Sequence, residues 1–334
     1  MLKRLTLIAA TLLAASPLLA GEVNIYSSRQ PQLIDPILEA FTAETGIKTN
    51  VVFIKSGMIE RLRAEGKRSP ADVVLTTDIA NLTAIVDAGV TQPVVSDVIN
   101  ANIPAEYRDP EGNWTGLTMR ARIAYVSRDR VAPGEVTSFE GLADPQWQGR
   151  ICIRSGLHNY NVALVAAMIA HYGEEQTEEW LRGLKANLAR KPQGNDRAQI
   201  KAVWAGECDV AIGNTYYMGK MLQEPEQVEW ANAVNLVFPT IGGKGAHVNL
   251  SGMAMTASAP NRDEALQLME FLTSAEAQGL YAELNFEYPL LDSVAPSELV
   301  QSWGTFTPDP TPLAEIAKYR PAALRLVEKV DFDG

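Results

Sequence analysis

Short apolar runs alternate with amphipathic segments over the first part of the chain. Val23–Ser28, Ile47–Ile54 and Ala71–Leu75 are apolar and bounded by polar or turn residues, which is typical of buried strands. Between the first two runs, apolar side chains recur at helical spacing over 33–41, and Gly46 ends that segment. Strand–helix alternation of this kind predicts an α/β fold with a mainly parallel sheet covered on both faces.

A second α/β block follows a long extended stretch. Leu117–Val126 contains no residue that would stop a strand, and we interpret it as a strand that crosses between two lobes. The second block has apolar strands at Ile151–Ile153 and Cys208–Ile212, with helical segments between them. His247–Thr256 is again apolar and extended, and it predicts a second crossover strand.

These crossings divide the chain into two lobes. We expect an N-terminal lobe of residues 21–119 plus about 250–300, and a C-terminal lobe of residues 120–249 plus about 301–334. Open α/β sheets bind ligands beyond the carboxyl ends of their strands. Two lobes joined by extended strands can close on such a ligand by a hinge motion.

The first twenty residues have the pattern of a secretory signal peptide. Lys3 and Arg4 precede the apolar run Leu5–Leu13, and small or polar residues lead to an expected cleavage after Ala20. No other stretch approaches the roughly 18 apolar residues of a membrane-spanning helix. We therefore expect an exported, soluble chain located in the periplasm, with no direct membrane insertion.

Composition excludes some classes of partner. Removal of the signal peptide leaves 27 basic and 40 acidic residues, a net charge of −13. An acidic chain is a poor candidate for binding nucleic acid or an anionic membrane surface.

Two cysteines, Cys152 and Cys208, lie in short apolar runs interpreted as strands of the second lobe. In an oxidising compartment such a pair indicates a disulfide rather than a metal site. Two buried free thiols are the alternative.

The segment Gly213–Gly219 contains two adjacent tyrosines, Tyr216 and Tyr217, after an apolar strand. In a strand these side chains would point to opposite faces. At the start of a helix they are about 100° apart, so both hydroxyls can face one cleft. The alternative is that one tyrosine lies in the core and the other on the surface.

Several segments resemble bacterial periplasmic ferric-ion-binding proteins, the substrate-binding components of iron ABC transporters. The resemblance extends over essentially the whole chain after the signal peptide, and its segments are Asn24–Gln30, Gly116–Arg122, Arg154–Asn161, Gly194–Arg197, Gly206–Tyr217 and Asn285–Pro289. It implies a two-lobed type 2 periplasmic binding protein. It also implies delivery to an inner-membrane iron ABC permease, a monomeric state and no enzymatic activity.

By position, the resemblance implies that Tyr160, Tyr216 and Tyr217 ligate Fe³⁺ as phenolates. The first loop reads Arg29-Gln30-Pro31 and lacks the His or Tyr ligand that many members of the family have there. This departure is similar to the subgroup with three tyrosine ligands, in which a carbonate or bicarbonate completes the coordination. Arg29 and Arg122, with Gln30, are the anion-binding residues that the resemblance then implies.

The chemistry of these residue types agrees with that assignment. Fe³⁺ is small and hard and favours anionic oxygen ligands. A free tyrosine has a pKa of about 10, so a phenolate at neutral pH needs a strong cation beside it. Three phenolates neutralise three positive charges, and an arginine suits the additional planar oxyanion through bidentate donation.

Two other functions compete with ferric binding. A polyamine or a thiamine-like organic cation could be held by neutral tyrosines in an aromatic cage. A secreted hydrolase or lyase is a further alternative, but the sequence has no nucleophile-elbow pattern, zinc-type histidine spacing or Gly-rich phosphate loop.

Overall fold

The computed structural model describes residues 21–334, and the predicted signal peptide lies outside the described residues. The strands are β1 (Glu22–Ser27), β2 (Lys48–Phe53), β3 (Val73–Thr76), β4 (Thr91–Gln92), β5 (Thr115–Ser127), β6 (Ile151–Cys152), β7 (Val210–Asn214), β8 (Val234–Val237), β9 (Thr240–Ile241), β10 (Gly245–Ala246), β11 (Val248–Thr256) and β12 (Tyr288–Pro289).

The α-helices alternate with these strands. They are α1 (Asp35–Thr45), α2 (Met58–Glu65), α3 (Ile79–Asp87), α4 (Asp97–Asn102), α5 (Asn159–Ala186), α6 (Asp196–Trp204), α7 (Tyr216–Leu222), α8 (Val228–Asn232), α9 (Arg262–Leu272), α10 (Ala275–Asn285), α11 (Glu298–Gln301), α12 (Leu313–Lys318) and α13 (Arg320–Lys329). Short 3-10 helices lie at Pro31–Leu33, Gly66–Arg68, Ala105–Tyr107, Glu140–Ala143 and Pro145–Trp147. Within residues 21–334, each helix is too short or too polar to span a lipid bilayer.

The main sheet has the strand order β2-β1-β3-β11-β5-β7-β6. In its first half, β1 pairs in parallel with both β2 and β3. In its second half, β6 pairs in parallel with β7. Helices connect the parallel strands on each side, as strand–helix alternation requires.

Strands β5 and β11 join the two halves of the sheet. All 13 residues of β5 are buried, and one face carries the polar side chains of Thr118, Arg120 and Arg122. Residues 115–121 of β5 pair antiparallel with β11, and residues 122–126 pair antiparallel with β7, so the joined sheet is mixed and the prediction of a mainly parallel sheet is wrong. The predicted two-lobed α/β fold with two crossover strands is therefore confirmed. The exact residues at which the lobes divide stay a prediction.

The buried apolar side chains form two clusters. One lies in the first lobe between β1, α1 and α9, and includes Ile25, Phe41 and Leu268. The larger one extends through the crossover strands into the second lobe, and includes Val165 and Ile212. The first lobe thus has one cluster of its own, whereas the core of the second lobe is continuous, through the crossover strands, with first-lobe residues such as Val74.

The predicted disulfide is present between Cys152 at the end of β6 and Cys208 just before β7. The Cα atoms of the two residues are 5.9 Å apart. Because β6 and β7 are neighbouring parallel strands, the disulfide links them covalently. Strand β7 leads into the turn that carries Tyr216 and Tyr217.

Helix α7 packs closely against the segment that follows α10. A Cβ atom built on Gly219 would lie 2.2 Å from the Phe286 ring, so glycine is required for this approach. Phe286 is buried and has a φ of 56°, in the left-handed region that non-glycine residues rarely adopt. The Lys220 ammonium group also donates a hydrogen bond of 2.6 Å to the Leu284 carbonyl oxygen. These contacts hold α7 against the first lobe.

We predict that Gly219→Ala lowers the free energy of unfolding by about 1–3 kcal/mol, because the added methyl group overpacks against Phe286. Urea denaturation measures this effect. Gly279→Ala in α10 is the matched control, since no atom lies within 4 Å of its built Cβ atom. That control is expected to be neutral or to stabilise by up to about 1 kcal/mol. Equal stability of the two variants would contradict the packing account.

Candidate metal centre

A cavity of about 500 Å³ lies beyond the carboxyl ends of β1 and β3. The loops after these strands, strand β5, the segment after α10 and residues of α5, α6 and α7 all contribute to its wall. Five of the predicted site residues line it, namely Arg29, Gln30, Tyr160, Tyr216 and Tyr217. This is the edge of the sheet at which open α/β folds bind ligands.

The three tyrosines converge on this cavity from two helices. Tyr160 is the second residue of α5, and Tyr216 and Tyr217 are the first two residues of α7. The hydroxyl oxygens of Tyr160 and Tyr216 are 2.9 Å apart and share a hydrogen bond. The ring centroids of Tyr216 and Tyr217 are 4.4 Å apart with an interplanar angle of 35°. Both adjacent rings therefore turn to one side, as expected for a helix start.

The turn between β7 and α7 is held by close packing. A Cβ atom on Gly213 would lie 2.3 Å from the Tyr125 ring, so this position has no room for a side chain. The Tyr125 hydroxyl donates a hydrogen bond to the Asn214 carbonyl oxygen. The buried Thr215 then leads directly into the helix, and its backbone N–H donates to the Ala121 carbonyl oxygen at 3.1 Å.

The environment of the phenols favours their neutral form in the absence of a cation. Burial raises the pKa of Tyr216 well above its usual value, and the nearby Tyr160 and Tyr217 raise it further. The pKa of Tyr217 is also raised, first by burial and then by Tyr160. Deprotonation of this cluster therefore requires a strong positive charge among the oxygens.

Arg29, in the loop after β1, lines the same cavity and is almost fully buried. Its guanidinium group donates to the Glu287 carboxylate, with a shortest distance of 3.0 Å, and also to the Ser251 hydroxyl. Thr118 donates a further hydrogen bond of 2.6 Å to Glu287. The charge of Arg29 is thus already matched by a buried carboxylate.

Arg120 lines the cavity, and sequence reasoning did not identify it. It is 3 % exposed, and its Nη1 atom donates to the Ser251 hydroxyl at 3.1 Å. Its Nη2 atom is buried and has no hydrogen-bond partner among the described residues. Because strand residues two apart share a face, Arg120 and Arg122 were equally good candidates from the pattern alone.

Arg122 lies behind the tyrosines and does not line the cavity. Its Nη1 atom donates to Asp196 at 2.7 Å and to Asn214 at 3.0 Å, and its Nη2 atom donates to Asn161 at 2.5 Å. Its guanidinium carbon is 5.7 Å from the centroid of the Tyr160 ring. Arg122 is therefore placed to support Tyr160 from behind.

Gln30 is exposed at the mouth of the cavity, where its amide oxygen accepts a hydrogen bond of 2.6 Å from Gln32. His158 lies near the tyrosines, but its Nδ1 atom accepts from the Tyr160 N–H at 3.3 Å and so caps α5. Burial, with the charge of Arg154, lowers the pKa of His158 to about 4. In residues 21–334, no group of three or more His, Cys, Asp or Glu side chains could hold a metal ion.

The known proteins that are similar to this chain are solute-binding and iron-binding proteins. Residues 68–304 match the family of bacterial extracellular solute-binding proteins. Iron uptake protein A1 of Synechocystis is 42 % identical over 93 % of this chain and 87 % of its own. The major ferric iron-binding protein of Neisseria meningitidis serogroup B is 30 % identical over 86 % of each chain.

A solved structure shows the same architecture. The apo ferric ion-binding protein A of Pasteurella haemolytica superposes with a TM-score of 0.90 and 50 % identity, covering 94 % of this chain and 99 % of that one. The family match extends over most of the chain, and the relatives align along nearly its full length. The chain therefore belongs to the bacterial extracellular solute-binding protein family.

Proposed function

We propose that this protein binds ferric iron in the cavity between its lobes, with Tyr160, Tyr216 and Tyr217 as phenolate ligands. The observation that carries the proposal is the convergence of three phenols on one cavity, with two of their oxygens 2.9 Å apart. Relatives with ferric iron-binding names align along nearly the whole chain and support the same ligand. Three phenolates neutralise Fe³⁺ and supply the hard oxygen ligands that it favours.

We propose that a carbonate or bicarbonate occupies the remaining coordination positions and contacts Arg120, Arg29 and Gln30. Arg120 has a buried Nη2 atom without a partner among the described residues, and a planar oxyanion would satisfy it. Arg29 already pairs with Glu287, so only those of its N–H groups that Glu287 leaves free would donate to the anion. The anion-binding role predicted for Arg122 passes to Arg120 in this proposal, because both Nη atoms of Arg122 are directed to Asp196, Asn214 and Asn161 and Arg122 does not line the cavity.

The cavity wall disfavours an organic cation. Its charged lining residues include four cations and two carboxylates, Arg29, Arg120, Arg197, Lys220, Glu224 and Glu287. A cation in an aromatic cage would face a net positive wall, which opposes binding. Ferric iron avoids this conflict because its phenolate ligands cancel its charge.

In this proposal the protein is a carrier and catalyses no reaction. The named relatives are iron-binding transport proteins. The protein would capture iron in the periplasm as a monomer and deliver it to an inner-membrane ABC permease. The permease is the partner that membership of a substrate-binding family implies.

The central prediction concerns the visible absorption spectrum. Addition of ferric iron with bicarbonate is expected to produce a broad phenolate-to-iron charge-transfer band, since coordinated phenolate gives a colour that neutral tyrosine does not. Tyr216→Phe is expected to weaken or shift that band. Tyr319→Phe is the control, because Tyr319 is 40 % exposed and lies outside the cavity wall. A colourless protein under conditions that keep iron soluble would contradict phenolate ligation.

Acid is predicted to release the iron. Burial raises the pKa values of Tyr216 and Tyr217 in the free protein, so iron binding displaces protons, and a fall in pH favours the protonated, iron-free form. Displacement of three protons makes apparent affinity fall by up to about 10³ per pH unit below the phenol pKa values. Competition with a chelator at several pH values measures this slope. His158, with a pKa of about 4, stays neutral above pH 5 and does not contribute. A pH-independent affinity would contradict the ligand set.

A further inference from the structure

Tyr160 is supported differently from the other two tyrosines. Tyr216 and Tyr217 follow directly on β7, which lies between β5 and β6 in the main sheet. Tyr160 instead comes soon after residues 153–158, an irregular segment that we call the 153–158 loop. A side chain that follows an irregular segment keeps its position only if other contacts fix that segment. The contacts of the 153–158 loop therefore determine how firmly Tyr160 is held.

Asp333, in the segment that follows α13, fixes this loop. Its carboxylate accepts a hydrogen bond of 2.7 Å from the Gly156 N–H and another from the Ser155 hydroxyl. Within residues 21–334, the other hydrogen bonds made by the backbone of residues 155–158 stay inside residues 155–162. Asp333 is thus the one distant partner of that backbone in the described chain.

The segment that carries Asp333 is itself packed firmly against the second lobe. Phe332 is one of the largest fully buried side chains, and a Cβ atom built on Gly156 would lie 2.7 Å from its ring. Near the end of α5, the Lys185 ammonium group donates a hydrogen bond to the Asp331 carbonyl oxygen. The Asp333 carboxylate is therefore presented to the 153–158 loop from a fixed position.

Two side chains connect the 153–158 loop to Tyr160. The Asn161 amide group donates to the carbonyl oxygens of Arg154 and Ser155, both at 3.0 Å, which joins the loop to the start of α5. Arg154 donates to the buried Asp196, and its guanidinium carbon lies 5.3 Å from the centroid of the Tyr160 ring. A shift of the loop would therefore move both the backbone that carries Tyr160 and the cation beside its ring.

We infer that Asp333 is a positioning residue for iron binding. It fixes the 153–158 loop and so keeps the Tyr160 oxygen 2.9 Å from that of Tyr216, where both can reach one metal ion. Loss of the Asp333 carboxylate would leave Tyr216 and Tyr217 in place and loosen Tyr160, so iron would dissociate faster. This inference rests on the proposed ferric site, and it names a residue outside the cavity wall that sets how long iron stays bound.

The test compares iron release from Asp333→Ala and from the native protein. Each is loaded with ferric iron and bicarbonate, and the charge-transfer band is followed after addition of a competing chelator in excess. Asp333→Ala is expected to lose iron about tenfold faster or more, because two hydrogen bonds to a carboxylate are removed. Asp333→Asn can still accept from Gly156 and donate to Ser155, so its rate is expected to stay within about threefold of the native rate.

A double-mutant cycle with Tyr160→Phe separates positioning from a general loss of stability. If Asp333 acts through Tyr160, Asp333→Ala changes the affinity of the Tyr160→Phe protein by less than about twofold. A general loss of stability would lower affinity equally in both backgrounds. Affinities are measured with chelators of graded strength, so that weak variants stay measurable.

Two further variants complete the test. Glu328→Ala removes a negative charge from an exposed position on α13 and is expected to release iron at the native rate. Ser155→Ala removes one of the two hydrogen bonds and is expected to release iron about threefold faster, which tests the inference if Asp333→Ala proves unstable in a thermal melt.

Native-rate release from Asp333→Ala and Ser155→Ala, equally fast release from Glu328→Ala, or additive effects in the cycle would overturn the inference alone. Absence of a charge-transfer band from the native protein would instead overturn the ferric site on which the inference rests.

Discussion

The repulsion among three clustered phenol oxygens is the constraint on which this site depends. At the 2.9 Å that separates the Tyr160 and Tyr216 oxygens, two phenolates would repel by about 6 kcal/mol at an effective dielectric constant of about 20. In the free protein a hydrogen bond joins the Tyr160 and Tyr216 hydroxyls, and burial raises the pKa of Tyr216. A trivalent cation reverses this balance, because it converts mutual repulsion into attraction to a common centre. The proposed ferric site therefore favours a small, highly charged ion.

The surrounding structure holds the tyrosines at this spacing. The close approach of Gly213 to Tyr125 sets the turn before α7, and the close approach of Gly219 to Phe286 holds the helix itself. Asp196, which is fully buried, accepts from Arg122 and Arg154, and both guanidinium carbons lie within 6 Å of the Tyr160 ring centroid. Arginines that support the scaffold are thus matched by carboxylates, whereas Arg120, Arg197 and Lys220 face the cavity without one in the described chain.

The sequence was sufficient for features that depend on local pattern. Alternating strands and helices predicted the α/β fold, and two extended apolar stretches predicted the crossover strands. The position of Tyr216 and Tyr217 after an apolar strand allowed both rings to face one side, and the resemblance to ferric-ion-binding proteins favoured that arrangement. The expected oxidising compartment predicted the Cys152–Cys208 disulfide, which is present.

The assignment of arginines could not be made in the same way. Arg120 and Arg122 share a strand face, so periodicity does not distinguish them. The difference arises from Asp196, which lies 74 residues further along the chain and pairs with Arg122. Pairing of Arg29 with Glu287 is likewise a contact between residues 258 positions apart. Such charge pairing between distant residues depends on the tertiary fold. It determines which cationic side chains have no carboxylate partner and can therefore bind an anionic ligand.

A crystal structure of the protein loaded with ferric iron, with the metal located by anomalous scattering, would show whether the three tyrosines ligate the metal. We predict one iron in the cavity, about 2 Å from the hydroxyl oxygens of Tyr160, Tyr216 and Tyr217, a distance usual for metal–oxygen ligation in proteins. The remaining positions should be filled by oxygen atoms of an anion that contacts Arg120. Iron located elsewhere, or iron coordinated by His158 instead of the three phenol oxygens, would rule out tyrosine ligation at this site.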